Sequence, residues 1–297
     1  MTDRCAAALN VTVEQAQRLV QDQFRHLAHR SLTALPSAGT DNHIFRLGDD
    51  LLLRFPKVTW AIGTPERESR ILPHWQGHTL KAPHFVALGA PGEGYPHAWS
   101  ILHWIDGMPL TETALTAPAR TAVSLAQFIR AQRARPAEDS LEAGPDNHYR
   151  GAALRARSAL FSTALETLAD EIDTKAARRV WARSLDTPEP TRAVWLHGDL
   201  HAGNLLVEDG ELAGVIDFGL AGIGDGACDL QPAWAIFDGP ARAAFREALG
   251  ATEAEWLRGM GWTLSIACIA LAHYRETKSP LSDMSRRTIS RLFEDMA

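Results

Sequence analysis

The chain of 297 residues carries 30 Lys and Arg against 36 Asp and Glu, a net charge of −6, and is 45% hydrophobic and 22% charged. Such average usage excludes a disordered, fibrous or membrane-embedded chain, and an acidic balance with no Lys/Arg run argues against a nucleic-acid partner. Cys5, Cys228 and Cys268 are far apart and form no C-x-x-C pair, so neither a disulfide framework nor a zinc knuckle is expected, and a cytoplasmic location is. The apolar run 259–272 is shorter than the roughly 20 residues of a spanning helix. The first ten residues lack a long apolar stretch, so no signal peptide or membrane anchor is expected.

Thr12 with Gln15 forms a capping box, and Val13, Ala16, Leu19, Val20, Phe24 and Leu27 recur at helical spacing, predicting an amphipathic helix. Strands follow at 31–35, 42–47 and 50–55, the last two joined by a Gly-Asp-Asp hairpin turn. Thr64 as N-cap and Pro65 at the first helical position open a helix with Glu68, Ile71, Leu72 and Trp75 on one side. Strands at 83–88 and 97–105 give way to Asp106-Gly107-Met108-Pro109-Leu110, and helical periodicity takes over from Ala117 to Arg133. The domain boundary is placed near Ile105 and Asp106, giving domains 1–105 and 106–297. Residues 134–150 read as loop and 152–184 as one or two helices. Three strand-like pieces, 193–196, 204–207 and 212–216, interrupt the helices, the last two linked by a Glu-Asp-Gly-Glu hairpin signal. Several helices follow Gly226, and no internal repeat is visible.

The chemistry concentrates on His-Gly-Asp-Leu-His-Ala-Gly-Asn, 197–204, and on Ile-Asp-Phe-Gly, 216–219. Asp199 and Asn204 are five apart, and Asp217 comes thirteen residues later at a strand end. Phosphoryl transfer needs one group to position the attacking hydroxyl and oxygen ligands for Mg²⁺ on the nucleotide phosphates. The D-x-x-x-x-N spacing followed by D-F-G is the arrangement in which the first Asp accepts the hydroxyl proton while the Asn and second Asp bind metal. His197 is read as holding the loop by a backbone hydrogen bond, and His201 as positioning. Taken singly, either aspartate fits an Asx-turn or a cap. His197, Asp199 and His201 also alternate, as in a metal-dependent hydrolase, but no H-E-x-x-H accompanies them and Asn204 and Asp217 are then unexplained. A nucleotide-binding pseudokinase is the third reading, against which Asp199 stands.

HGDLHAGNLL together with VIDFGLAGIGDGACDL resembles the aminoglycoside phosphotransferase family and its relatives, the macrolide phosphotransferases and choline-kinase-like small-molecule kinases. GTDNHIFRLGDDLLLRFPK and ERESRIL are similar to that family's N-terminal lobe, and ILHWIDGMPL to its interlobe hinge, so the resemblance covers nearly the whole chain. It implies an α+β, two-lobed protein-kinase-like fold, with an antiparallel nucleotide-binding lobe at 1–105 and a larger helical catalytic and acceptor-binding lobe at 106–297. It implies ATP or GTP as donor, Mg²⁺ held by Asn204 and Asp217, and Asp199 as the catalytic residue. Arg54 stands where the family's strand has lysine, with Glu68 as its helix partner. Lys57 is the alternative phosphate contact, and a surface ion pair the alternative role for Arg54. Ser37, Gly39 and Thr40 are expected to offer backbone N–H groups to the nucleotide. Leu102 to Trp104 are expected to meet the base, because an edge strand leaves backbone groups unpaired. Trp99 either narrows the base pocket or, the preferred reading, belongs to the core. The acceptor is expected to be a small molecule, an aminoglycoside first, with a macrolide or another small alcohol as alternative. Its acidic pocket is sought at Asp225, Asp229, Asp238 and Glu276, with buttressing of the catalytic loop as the equal alternative for Asp225 and Asp229, while the run 166–173 reads as a solvated face with a Glu171–Lys175 pair.

Overall fold

The computed structural model describes residues 9–35, 41–111, 113–137, 141–277 and 279–296. The expected phosphate contacts Ser37, Gly39 and Thr40 lie outside the described residues. Contacts divide the chain into two units, Met1–Asp106 and Gly107–Ala297.

In the first unit, α1 (Val13–Gln23) opens at Thr12, whose hydroxyl accepts the Gln15 N–H at 3.2 Å. The Gln15 side chain does not close the capping box but donates to the Glu93 carbonyl. Strands β1 (Leu32–Leu35), β2 (Asn42–Leu47), β3 (Leu51–Pro56), β4 (Phe85–Gly89) and β5 (Trp99–His103) form one antiparallel sheet in the order β1-β2-β3-β5-β4. Successive side chains on a strand point to opposite faces. Phe45, Leu47, Leu51, Leu53, Phe55, Trp99 and Ile101 therefore share one face, and they form a single core with Ala16, Leu19 and Val20 of α1. Arg54, of opposite parity on β3, falls on the other face. Trp99 is fully buried, stacked on Phe55 with ring centroids 4.8 Å apart, and its indole N–H donates to the Ala90 carbonyl. It is a core residue.

Helix α2 (Thr64–Ile71) begins one residue earlier than its sequence signal suggests. Gly63, at φ 89°, occupies the cap and Thr64 is already helical, so the start rests on the backbone freedom of glycine rather than on a threonine side chain. Glu68, Ile71, Leu72 and Trp75 are all buried.

The second unit is mainly helical: α3 (Pro118–Arg133), α4 (Ser158–Thr167), α5 (Thr174–Leu185), α6 (Pro232–Ala235), α7 (Gly239–Leu249), α8 (Glu253–Tyr274) and α9 (Pro280–Glu294). Two small sheets interrupt it. One joins β6 (Met108–Pro109), β8 (Leu205–Glu208) and β9 (Glu211–Val215), and the other pairs β7 (Val194–Leu196) with β10 (Gly222–Gly224). Helix α8 is apolar on all sides and is buried from Arg258 through Cys268, the environment such a helix requires. No helix among the described residues is long and apolar enough to cross a membrane. The architecture is α+β, with the antiparallel sheet first and the helices after it.

Candidate active site

The loop between β7 and β8 is built on a hairpin. Asp209 and Gly210 both have positive φ, 52° and 78°, the geometry of a type I′ turn, which matches the twist of β8 and β9. Beyond the register pair Leu205↔Val215, the Ile216 N–H donates to the Asn204 carbonyl at 2.9 Å. Asn204 therefore stands beside the turn that carries Asp217. Asp217 has φ 65°, a left-handed conformation that Asp tolerates better than most residues.

His197 ties the loop to this hairpin. It is fully buried, its Nε2 meets the Ile216 carbonyl at 3.1 Å, and its Nδ1 accepts the Asp199 N–H at 3.3 Å. One nitrogen donating and the other accepting requires a neutral ring. Burial pushes the imidazole below its ordinary pKa, against the upward pull of Asp229, Asp199 and Asp217. All three carboxylates are thus near one histidine. Gly198 follows at φ 82°, and a Cβ there would lie 2.6 Å from the Leu220 carbonyl oxygen, so the position excludes any side chain.

The Asp199 carboxylate is partly open, with 26% of its side chain exposed. Asn204 Nδ2 donates to the Asp199 carbonyl at 2.9 Å and lies 3.4 Å from Oδ2. His201 Nε2 is 3.6 Å from the same oxygen, while its Nδ1 accepts the Gly203 N–H. On the other side, Arg150 Nη2 is 3.6 Å from Oδ1. With its amide nitrogen turned to Asp199, Asn204 keeps its amide oxygen for another partner. That oxygen and the Asp217 carboxylate are hard donors, and two such groups suit a Mg²⁺ ion whose remaining ligands are phosphates and water. Among the described residues no group of three or more His, Cys, Asp or Glu could hold a metal. The engagement of both His197 nitrogens and of His201 Nδ1 counts against the hydrolase reading.

For Asp229 and Asp225 the structure shows the bracing role and not the acceptor contact. Asp229 is 1% exposed, and its two oxygens accept the N–H groups of His197 and Gly198, each at 2.8 Å. Burial raises its pKa while those donors and His197 act to lower it. Asp225 is 3% exposed and forms a forked pair with Arg258 at 2.9 and 3.3 Å, and its Oδ1 caps the Ala227 N–H. Both carboxylates hold the loop and its surroundings from inside. Asp238 is exposed at the start of α7, and Glu276 is exposed just past α8. In the run 166–173, Asp173 caps α5 while Glu171 pairs with Arg286 and Arg275 rather than with Lys175.

In the first unit, Arg54 Nη1 meets Glu68 Oε1 at 2.6 Å, with side-chain exposures of 8% and 2%. The pair is buried, not a surface bridge. Lys57 lies past the end of β3, donates its N–H to Asp41, and lines a separate cavity of about 400 Å³ with Val11, Thr12 and His43. The hinge expectation needs correction as well. Strand β5 lies between β3 and β4, so Leu102 pairs with Leu52 on one side and Phe85 on the other. The N–H groups of His103 and Trp104 are donated to His84 and Asp50.

Arg150 and Arg258 escaped the sequence reading. Arg258 is a buried cation in an apolar helix, which is itself a signal for a buried acidic partner. Arg150 ends a segment read only as loop.

A loop and hairpin that present Asp, Asn and Asp beside one buried histidine, on a helical unit preceded by an antiparallel sheet with a buried Arg–Glu pair, define a kinase-like phosphotransferase. The profile of the phosphotransferase enzyme family matches residues 33–262, and the chain belongs to that family. Among solved structures, the GDP complex of aminoglycoside 2′-phosphotransferase-IIIa is 17% identical, with a TM-score of 0.70 over 97% of this chain and 100% of that one. The GDP and kanamycin complex of APH(2″)-IIIa is 20% identical, TM-score 0.71, over 95% and 98%. A thermostable mutant of APH(4)-Ia, in a ternary complex with AMP-PNP and hygromycin B, is 17% identical, TM-score 0.67, over 95% and 99%. A comparison with curated proteins gave no match.

Proposed function

We propose that the protein transfers the terminal phosphoryl group of ATP or GTP to a hydroxyl of a small molecule, with Asp199 as the residue that receives the hydroxyl proton. The observation that carries this reading is the convergence of Asp199, Asn204 and Asp217 around His197. The acceptor oxygen forms the new P–O bond, its proton passes to Asp199, and the bond to the bridging oxygen breaks, with the electron pair leaving on the nucleoside diphosphate. Asn204 and Asp217 would hold Mg²⁺, which neutralises charge on the phosphates. Neutral His197 keeps Asp199 in place through its backbone N–H. Arg54, oriented by Glu68, supplies positive charge for the nucleotide phosphates. With β5 interior to its sheet, the base contact moves beyond Trp104 to the backbone of Ile105 and Asp106.

For the acceptor, the solved aminoglycoside phosphotransferases support an aminoglycoside. The burial of Asp225 and Asp229 favours a second reading, an acceptor with fewer cationic groups such as a macrolide or a small amino alcohol. The test is a panel of aminoglycosides, macrolides and amino alcohols with ATP and with GTP, phosphorylated product being read by mass. An aminoglycoside product whose KM rises steeply with salt supports the first reading, because exposed ion pairs weaken as the Debye length shrinks from about 10 Å at 0.1 M to about 3 Å at 1 M. A macrolide or amino alcohol product alone supports the second. Product from no acceptor under any condition overturns the function.

A further inference from the structure

The segment leading to Arg150 is strained and firmly held. His148 and Tyr149 both have positive φ, 52° and 58°, and Gly151 follows at 83°. Consecutive non-glycine residues in the left-handed region persist only where the surroundings impose them, and such strain collects at functional sites. Here fully buried Asn147 imposes it. Its Oδ1 accepts the Gly144 N–H at 2.9 Å, and its Nδ2 donates to the Arg150 carbonyl at 2.9 Å and to the Leu220 carbonyl at 3.4 Å. The Gly151 carbonyl accepts the Asp225 N–H at 2.6 Å. A Cβ on Gly224 would lie 2.2 Å from the Gly151 oxygen, so the segment sits hard against β10.

What this architecture delivers is a guanidinium beside Asp199. The Arg150 side chain is 13% exposed, its Nη2 lies 3.6 Å from Asp199 Oδ1, and its Nη1 is buried with no hydrogen-bond partner among the described residues. A distance of 3.6 Å is too long for a hydrogen bond. A largely buried cation with donors unused is costly, which makes it a poor structural choice and a good binding group. Its field is felt nearby: Arg157 falls to about 10, mainly through burial and then through Arg150. Arginine presents its donors as a planar fork suited to phosphate oxygens.

We infer that Arg150 is a catalytic residue whose guanidinium, turning from its resting position, donates to a non-bridging oxygen of the phosphoryl group as that group passes to the hydroxyl held at Asp199. This rests on the phosphotransferase reading. Negative charge on those oxygens must be matched during transfer, and an arginine contributes there through charge and fork geometry together. Arg150 stands on the Oδ1 side of Asp199 while Asn204 and His201 stand on the Oδ2 side, so the carboxylate is flanked by donors from both directions.

The experiment measures binding of ADP with Mg²⁺, with and without aluminium fluoride, to the wild type and to Arg150→Ala and Arg150→Lys. The fluoride complex mimics the phosphoryl group in flight and needs no acceptor. Wild type is expected to bind ADP at least tenfold more tightly when fluoride is present, as transition-state mimics do. Arg150→Ala should bind ADP within about twofold of wild type yet lose most of the fluoride gain, with Arg150→Lys between them and guanidinium ion restoring part of the loss. An undiminished fluoride gain in Arg150→Ala overturns the inference while leaving the phosphotransferase reading intact. So does an equal loss of ADP affinity with and without fluoride, which marks a structural role. If Arg150→Ala does not fold, Arg150→Lys decides by the same comparison. No fluoride gain in the wild type overturns the phosphotransferase reading and this inference with it.

Discussion

The loop 197–204 and the turn 225–230 both carry aspartates just after a short strand, yet their carboxylates have opposite fates. Asp199 keeps 26% of its side chain exposed, and among the described residues its carboxylate has long contacts to Asn204, His201 and Arg150. Asp225 and Asp229 are 3% and 1% exposed, and each has both oxygens bonded inside the unit. The second pair makes the first possible. Asp229 fixes the backbone at His197 and Gly198, His197 fixes the Asp199 N–H, and the Asp199 carboxylate, the proposed proton acceptor, is left at the end of that chain. A rigid inner set of acids holding an outer, loosely bonded one is the arrangement that preorganised catalysis calls for.

The comparison breaks most visibly at Asp199. Asp199→Asn should lower kcat by about 10²- to 10⁴-fold with nucleotide affinity and thermal midpoint nearly unchanged, because only the proton acceptor is removed. Steady-state kinetics beside a melting curve checks this, and an unchanged kcat would remove Asp199 from the chemistry. Asp225→Ala should do the reverse. Leaving Arg258 without its buried carboxylate costs about 3–5 kcal/mol, read as a lower urea midpoint, with activity falling only as the fold is lost. If Asp225→Ala is as stable as wild type but raises the KM for a cationic acceptor, the inner role assigned to Asp225 is wrong.

A smaller effect separates the two cations of the first unit. Arg54→Ala should raise the nucleotide KM by about tenfold and lower kcat with it, whereas Lys57→Ala should change either by less than about twofold. The opposite ranking would move the phosphate contact to Lys57. The smallest expected effect concerns the thiols. Cys228 and Cys268 are buried, which pushes both up to about 12, so near pH 8 almost none of either is thiolate. In a Cys5→Ser variant neither should react with a thiol reagent at pH 8 until urea unfolds the chain. Rapid native reaction at Cys228, which lies 4.0 Å from the Gly198 carbonyl, would show that the loop opens.

Much of this could be read along the chain because local patterns have local causes. Alternation sets which face of β3 carries Arg54, helical spacing aligns Glu68 with Ile71 and Leu72, and the Asp-Gly turn closes the β8–β9 hairpin. The motif spacing likewise fixes Asp199, Asn204 and Asp217 as one group, since a hairpin brings its two ends together whatever surrounds it. Other features depend on which distant segments meet. Strand order put β5 inside its sheet, so Leu102 and Trp104 have their backbone groups engaged although Leu102 to Trp104 read as an edge. Burial turned Asp225 and Asp229 from candidate ligand contacts into internal braces, one through an arginine 33 residues away in α8 and the other through N–H groups 32 and 31 residues back. Arg150 reaches Asp199 only because Asn147 and Gly151 are anchored to residues after the Asp217 turn. Sequence alone determines what chemistry a residue can perform and which close neighbours share its face. Whether its charge stays free to perform that chemistry is decided by desolvation and by partners that only tertiary folding supplies.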